Sequence, residues 1–195
     1  KRLVILGAAE SGVGAAVLAK KKGLEVFVSD SGKIKDTYKK VLSLNEIAYE
    51  EGKHTARLIL NADEVVKSPG ISDTIEMIVK LNKKKIPVIS EIEFAARYTN
   101  ATLICITGTN GKTTTVSLTY HILKNAGCNV KMAGNIGKSF AMMVAEEVEQ
   151  ISNLFYVLEL SSFQLDGMFK TRINIAIITN ITPDHLDRYD NELQK

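Results

Sequence analysis

Short apolar runs alternate along the chain with longer stretches whose apolar residues recur at helical spacing. Leu3–Leu6 reads as a buried strand, and Val13–Lys22 follows as a helix that Gly23 stops. Val26–Ser29 is a second strand ending at Asp30. Asp36–Glu46 is a helix, and Glu64–Val66 is a short strand entering KSPGI. A helix over Thr74–Lys84, a strand over Pro87–Ser90 and a helix from Glu91 to about Tyr98 complete this half. After Thr99 the alternation restarts. Thr102–Thr107 is a strand, Thr113–Ala126 a helix, Asn129–Ala133 a strand and Ser139–Val148 a helix. Phe155–Leu160 is a further strand, and Ile173–Asn180 reads as a long buried one. This order predicts an α/β fold with mostly parallel sheets and helices on both faces. Glycine-rich strand-to-helix turns at Gly7 and Gly108 suggest two such units, joined near residue 91.

The totals add mainly exclusions. The 195 residues are 45% hydrophobic and 24% charged, ordinary for a soluble globular protein, and allow one large or two small domains. A net charge of +3 is too small to argue for nucleic acid. The lysine runs Lys20–Lys22 and Lys83–Lys85 fit helix C-termini, where positive charge complements the dipole. Cys105 and Cys128 lack metal-ligand spacing, so a reducing cytoplasm is expected and a disulfide is not. No apolar stretch approaches the roughly 20 residues needed to span a bilayer. The opening KRLVILG reads as a strand rather than a cleavable leader. The missing initiator Met suggests a trimmed start, and the stop at NELQK, soon after a strand, suggests truncation.

Two turns carry the candidate chemistry. GAAESG, Gly7–Gly12, follows a strand and opens a helix, so it points backbone N–H groups at an anion. Asp30 stands where dinucleotide-binding, Rossmann-like folds hold a ribose. Ala9 replaces the middle glycine of that motif, which makes a nicotinamide site doubtful and leaves another diphosphate ligand, or a packing turn alone, open. Ser68, Pro69 and Gly70 also follow a strand, at the sheet edge where ligands of such folds bind; alone they would read as a turn.

The second turn is GTNGKTT: Gly108, Thr109, Asn110, Gly111, Lys112, Thr113 and Thr114. Small residues let the chain curl round phosphate oxygens, Lys112 adds a full charge, and the Thr113 hydroxyl can ligate Mg²⁺. Ile106 occupies the place of the usual first glycine. The order of strand, glycines, Lys-Thr and helix nevertheless argues for an ATP or GTP site. Glu159 closes an apolar strand, where a carboxylate is either a buried liability or a metal ligand. Asp184, His185 and Asp187 follow the last strand, so Lys112–Thr113, Glu159 and His185 are expected to converge on one edge.

SPGI, GTNGKTT, AGNIG (Ala133–Gly137), LELSSFQL and NITPDHLDRY occur in that order along the chain. Together they resemble the Mur ligase family, the ATP-dependent amide ligases of peptidoglycan synthesis. The spellings point more narrowly to the member that joins D-glutamate to UDP-N-acetylmuramoyl-L-alanine. The resemblance implies a Rossmann-like UDP-sugar domain over residues 1–91 and the first part of a P-loop-type α/β ATPase domain over 92–195. Ala9, Glu10, Ser11 and Gly12 would hold the diphosphate, Asp30 and Ser31 would lie near the uracil, and Ser68–Gly70 would line the same site. Family members often carry an Arg soon after the position of Asp30; Ser31, Gly32 and Lys33 stand there. Asn135, with Ser161 and Gln164 behind it, would contact the muramoyl substrate. Thr113 and Glu159 would ligate one Mg²⁺, and Glu159 and His185 a second. A carbamoylated lysine and the D-glutamate-receiving domain would lie beyond Lys195, so the chain alone is expected to bind the UDP-sugar without turning over. A monomer in the bacterial cytoplasm is expected. A sibling ligase, a folylpolyglutamate synthetase, a non-catalytic nucleotide-sugar module and, for the first unit, an NAD dehydrogenase stand as alternatives.

Overall fold

A computed structural model describes residues 1–147 and 153–183. They form two compact units. The first contains Lys1–Asn100 together with residues 138–147 and Phe163–Thr171; the second contains Ala101–Gly137 with residues 153–162 and 172–183. The first unit therefore runs past the expected division at residue 91. The helix opening at Glu91 packs on the helix of the first glycine turn, and two later segments return to the same unit.

The first unit is a five-stranded parallel sheet. Its strands are β1 (Arg2–Leu6), β2 (Glu25–Ser29), β3 (Ala48–Glu50), β4 (Glu64–Lys67) and β5 (Val88–Ile89), in the order β3-β2-β1-β4-β5. Its helices include α1 (Glu10–Lys21), α2 (Asp36–Leu44), α3 (Ala56–Ile59), α4 (Glu76–Lys83) and α5 (Glu91–Ala95). Strand residues alternate between faces. Val4, Leu6, Phe27 and Val65 pack with Ile59 of α3 and Met77, Ile78 and Leu81 of α4. Ile5 faces the other way, against α1 at Gly12. Helices thus cover both faces, and each fully buried Leu or Ile contributes about 1.5–3 kcal/mol. The lysine runs do close helices: Lys20 and Lys21 lie in the last turn of α1, and Lys83 ends α4. The sequence reading missed β3 and α3, which are short and, in β3, only partly buried.

The second unit holds four parallel strands, β6 (Thr102–Thr107), β7 (Asn129–Gly134), β8 (Leu154–Glu159) and β9 (Ile175–Ile178), in the order β7-β8-β6-β9. Helix α6 (Lys112–Asn125) packs Val116 onto Ile104, Ile106, Val130 and Val157. Cys105 is buried here as a small core residue, and burial pushes its thiol up to about 12. The expected long buried strand over residues 173–180 is corrected: β9 covers four residues, and Ile175 and Ile178 are 49% and 62% exposed. Among the described residues β9 pairs only with β6, so it forms an edge that leaves apolar side chains uncovered. Among the described residues no helix is long and apolar enough to cross a membrane.

Candidate functional site

In the first unit the strand order reverses between β1 and β4, the place where open α/β sheets bind ligands. The turn after β1 and the loop after β4 meet there. Ser68 N–H donates to Leu6 O at 2.9 Å, and its buried hydroxyl donates to Gly7 O at 3.4 Å. Ser68 O accepts from Ile71 N at 3.0 Å, which closes the loop through Pro69 and Gly70. Lys67 braces it through Ile71 O and an ion pair with Asp73. Helix α1 starts directly from the turn, with Ala9 as its N-cap and the first helical bond from Val13 N to Ala9 O. The N–H groups of Glu10, Ser11 and Gly12 precede any intrahelical acceptor, so the sequence-predicted diphosphate turn has the donors of an anion site.

Asp30 has visible partners in this turn. One carboxylate oxygen accepts from Ala8 N at 2.7 Å and the other from Gly32 N at 2.8 Å, tying the β1 turn to the β2 loop that carries Ser31. Beneath it, Asp30 N donates to Glu50 O, and the buried Ser29 hydroxyl contacts Glu50 Oε1 at 2.8 Å and His54 Nδ1 at 2.7 Å. Burial pushes the Glu50 carboxyl up, but hydrogen bonds from Thr55 and Ser29 outweigh it and hold the group below its ordinary value. These supports were missed with β3; the signal was the polar pair Glu50–Glu51 at the end of a three-residue strand too short to show alternation.

In the second unit the candidate phosphate loop is compact. Ile106 is fully buried in β6 and pairs in register with Glu159 and Ile177, so the turn opens only after Thr107. That is why no glycine is needed at residue 106. Gly108 has φ +133°, and a Cβ there would overlap the Thr179 hydroxyl and lie 2.8 Å from Asn180 O. Lys112 Nζ donates to Gly108 O at 2.7 Å and Thr109 O at 2.9 Å, which places the ammonium over the loop. Thr113 and Thr114 share the exposed first turn of α6, whose N–H groups precede any intrahelical acceptor; the first helical bond runs from Thr115 N to Gly111 O.

Glu159, at the end of β8, is 2% exposed. Its Oε2 accepts from Thr113 Oγ1 at 2.8 Å and its Oε1 from Asn135 Nδ2 at 3.1 Å, while its backbone O accepts from Asn135 N at 2.9 Å. Three sequence-predicted residues, Thr113, Glu159 and Asn135, therefore meet. Among the described residues the buried Glu159 carboxylate has neutral hydrogen bonds and no ion pair, and such a charge gains from a cation. With the Thr113 hydroxyl it offers the hard oxygen donors that suit Mg²⁺. Among the described residues no three His, Cys, Asp or Glu side chains gather to hold a metal. Asp184, His185 and Asp187 lie outside the described residues. Ser161 is half-buried in the second unit. Gln164, on α8 (Ser162–Leu165), is buried and belongs to the first, so the two fall in different units.

These features define an α/β protein of two parallel-sheet units, each with a glycine turn at a strand end, and the chain belongs to the Mur ligase family. Residues 106–194 match the Mur ligase middle domain, and residues 3–77 match the MurD N-terminal domain. The chain is 64% identical to the UDP-N-acetylmuramoylalanine--D-glutamate ligase of Bacteroides thetaiotaomicron, over 100% of this chain and 43% of that protein. It is 56% identical to the ligase of the same name from Porphyromonas gingivalis, over 98% of this chain and 42% of that protein. The chain thus spans less than half the length of these curated relatives. The fold is shared with the crystal structure of UDP-N-acetylmuramate:L-alanyl-gamma-D-glutamyl-meso-diaminopimelate ligase from Neisseria meningitides (TM-score 0.63, 21% identity, 97% of this chain and 63% of that one).

Proposed function

We propose that this chain supplies the UDP-sugar-binding unit and the phosphate loop of an ATP-dependent ligase that joins D-glutamate to UDP-N-acetylmuramoyl-L-alanine. The meeting of Thr113, Glu159 and Asn135 beside the glycine loop that holds Lys112 carries this reading. The relatives bearing that ligase's name support the choice of substrates. In the reaction, an oxygen of the substrate's alanine carboxylate attacks the γ-phosphorus of ATP. The bond to the β–γ bridging oxygen breaks, leaving ADP and an acyl phosphate. The D-glutamate amine then attacks the acyl carbon, phosphate leaves with the C–O bond electrons, and the amine loses a proton as the amide forms. Two anions must approach in the first step. Lys112 and the N–H groups at the start of α6 bind the phosphates, orient them and offset that repulsion. Thr113 and Glu159 would hold Mg²⁺, which supplies further positive charge to the phosphates when bound. Asn135 holds Glu159 in place and stands beside the substrate side of the site. Ala9–Gly12, Asp30, Ser31 and Ser68–Gly70 would hold the UDP moiety. On this reading the chemistry belongs in the bacterial cytoplasm, where ATP and UDP-sugars are supplied.

The test is ADP release from the complete ligase, followed with each substrate omitted in turn. Release that requires both the UDP-sugar and D-glutamate is expected. Lys112→Ala should lower turnover by about a hundredfold or more, on the scale of losing one charge-stabilising donor. The 195-residue chain alone should bind the UDP-sugar without turnover. D-glutamate-dependent ADP formation by that chain, or unchanged activity of the Lys112→Ala ligase, would overturn this reading.

A further inference from the structure

The first half of the phosphate loop is held by a segment that the reaction chemistry above leaves unused. After β9 the chain runs through Thr179 and Asn180 alongside the loop. The Asn180 side chain grips the backbone of Asn110 from both sides: its Oδ1 accepts from Asn110 N at 2.9 Å, and its Nδ2 donates to Asn110 O at 2.9 Å. The Thr179 hydroxyl donates to the same Asn110 O at 2.7 Å. Asn180 O accepts from Thr109 N at 3.0 Å, and the Thr109 hydroxyl is paired with both backbone groups of Thr182 at 3.0 Å. The strand end is itself anchored, because Thr179 N donates to Thr107 O at 3.0 Å.

This pairing divides the loop in two. The N–H groups of Thr109 and Asn110 are consumed by Asn180, so neither is offered to an anion. The N–H groups at the start of α6 precede any intrahelical acceptor, and the Lys112 ammonium is held on the loop by Gly108 O and Thr109 O. Those two carbonyls keep that position only while residues 108–110 keep theirs. Gly108 sits so close to Thr179 and Asn180 that no side chain fits between them. The arrangement is complete in the loop as it stands, so an arriving phosphate meets fixed donors instead of ordering a flexible turn.

We propose that Asn180, assisted by Thr179, is a positioning residue for the nucleotide phosphates. It fixes the Gly108–Gly111 backbone and, through the Gly108 and Thr109 carbonyls, the direction of Lys112, without touching the nucleotide. The proposal rests on the reading of this loop as the ATP site. An Asn directly after a strand reads in sequence as a turn residue; only the meeting of β6 and β9 gives it this task.

The experiment compares wild type, Asn180→Ala, Asn180→Asp and Thr179→Val in the complete ligase. ADP affinity and UDP affinity are measured separately by calorimetry, which needs no turnover, and each variant is melted. If wild type binds no ADP, the ATP-site reading itself fails before any variant is compared. Given wild-type binding, Asn180→Ala, which removes two hydrogen bonds, should weaken ADP by about tenfold and leave UDP affinity unchanged. Asn180→Asp keeps an acceptor for Asn110 N but loses the donor to Asn110 O and adds a negative charge, so it should be no better than Ala. Thr179→Val, which removes only the hydroxyl, should give a smaller loss in the same direction. Wild-type ADP affinity in both Asn180 variants would overturn the proposal. So would a parallel loss of ADP and UDP binding with early melting in all three variants, which would mark general unfolding.

Discussion

Glu91 brings a carboxyl into the packing of α1, α5 and α7 (Phe140–Ala145). Its Oε1 accepts from Ala141 N, and among the described residues its Oε2 has no hydrogen-bond partner. Burial pushes this carboxyl up to about 8; the Ala141 bond works against the shift, and the charge of Glu10 adds to it. Two residues on, Glu93 moves the other way. Burial pushes it up as well, but donors from Phe169, Lys170 and Thr171 outweigh burial and hold it below its ordinary value. The linkage signs therefore differ. Glu93 contributes stability that is present above the unfolded carboxyl's pKa and lost as pH falls through its lower folded value. Glu91 is protonated in both states at low pH. Between the ordinary carboxyl value of 4.5 and about 8, folding must take up a proton, so stability falls as pH rises through that window. Glu91→Gln keeps the shape and removes the proton. Thermal melts should show wild type losing stability from pH 5 to 8, while the variant loses less and melts higher than wild type at pH 8. Parallel curves would refute this account. Nothing in the sequence EIEFAA separates the two acids, since burial and partners come from residues about 50 and 77 positions away.

At the scale of elements, α1 shows why the first glycine turn can serve as a ligand site. Gly12 through Ala19 are all buried, and a helix apolar on every side must be enclosed. Its small residues permit this. A Cβ at Gly12 would fall on the Gly7 carbonyl oxygen, and one at Gly14 would reach the Ser139 hydroxyl and Met142 N. Gly12→Ala should thus cost about 1–3 kcal/mol, because backbone rather than a flexible side chain must move. It should weaken UDP binding in step, since the strained atoms belong to the turn itself. A melt and a UDP titration unchanged from wild type would contradict this. The strand–turn–helix units were legible because apolar runs and glycines mark them locally. So were Thr113, Glu159 and Asn135, which stand where a helix opens or a strand ends at the sheet edge. Illegible were β3, whose three residues are too few to show a period, and the exposure of β9, since IAII reads as core whether or not a neighbour covers it. Asn180 was hidden for another reason: its partners are about 70 residues away.

Across the whole chain, the first unit is assembled from three separate stretches. Lys21 Nζ reaches Ala145 O at 2.8 Å, the Thr99 hydroxyl reaches Glu147 at 3.0 Å, and Ser90 N donates to Gly167 O at 2.8 Å. Residues 1–100 expressed alone would keep all five strands but lose α7 and the donors around Glu93. They would bare the apolar face of α1 and strip Glu93 of its donors from Phe169, Lys170 and Thr171. That fragment should bind a hydrophobic dye and melt without a sharp transition, whereas the 195-residue chain should melt cooperatively; a sharp melt of the short fragment at the same temperature would count against this picture. The same interleaving bears on inheritance. A recombination breakpoint at codon 100 would hand the first sheet to a new partner while leaving two of its supports behind. An exchange between relatives that preserves this unit has to carry everything through residue 171, and with it three of the four strands of the second sheet.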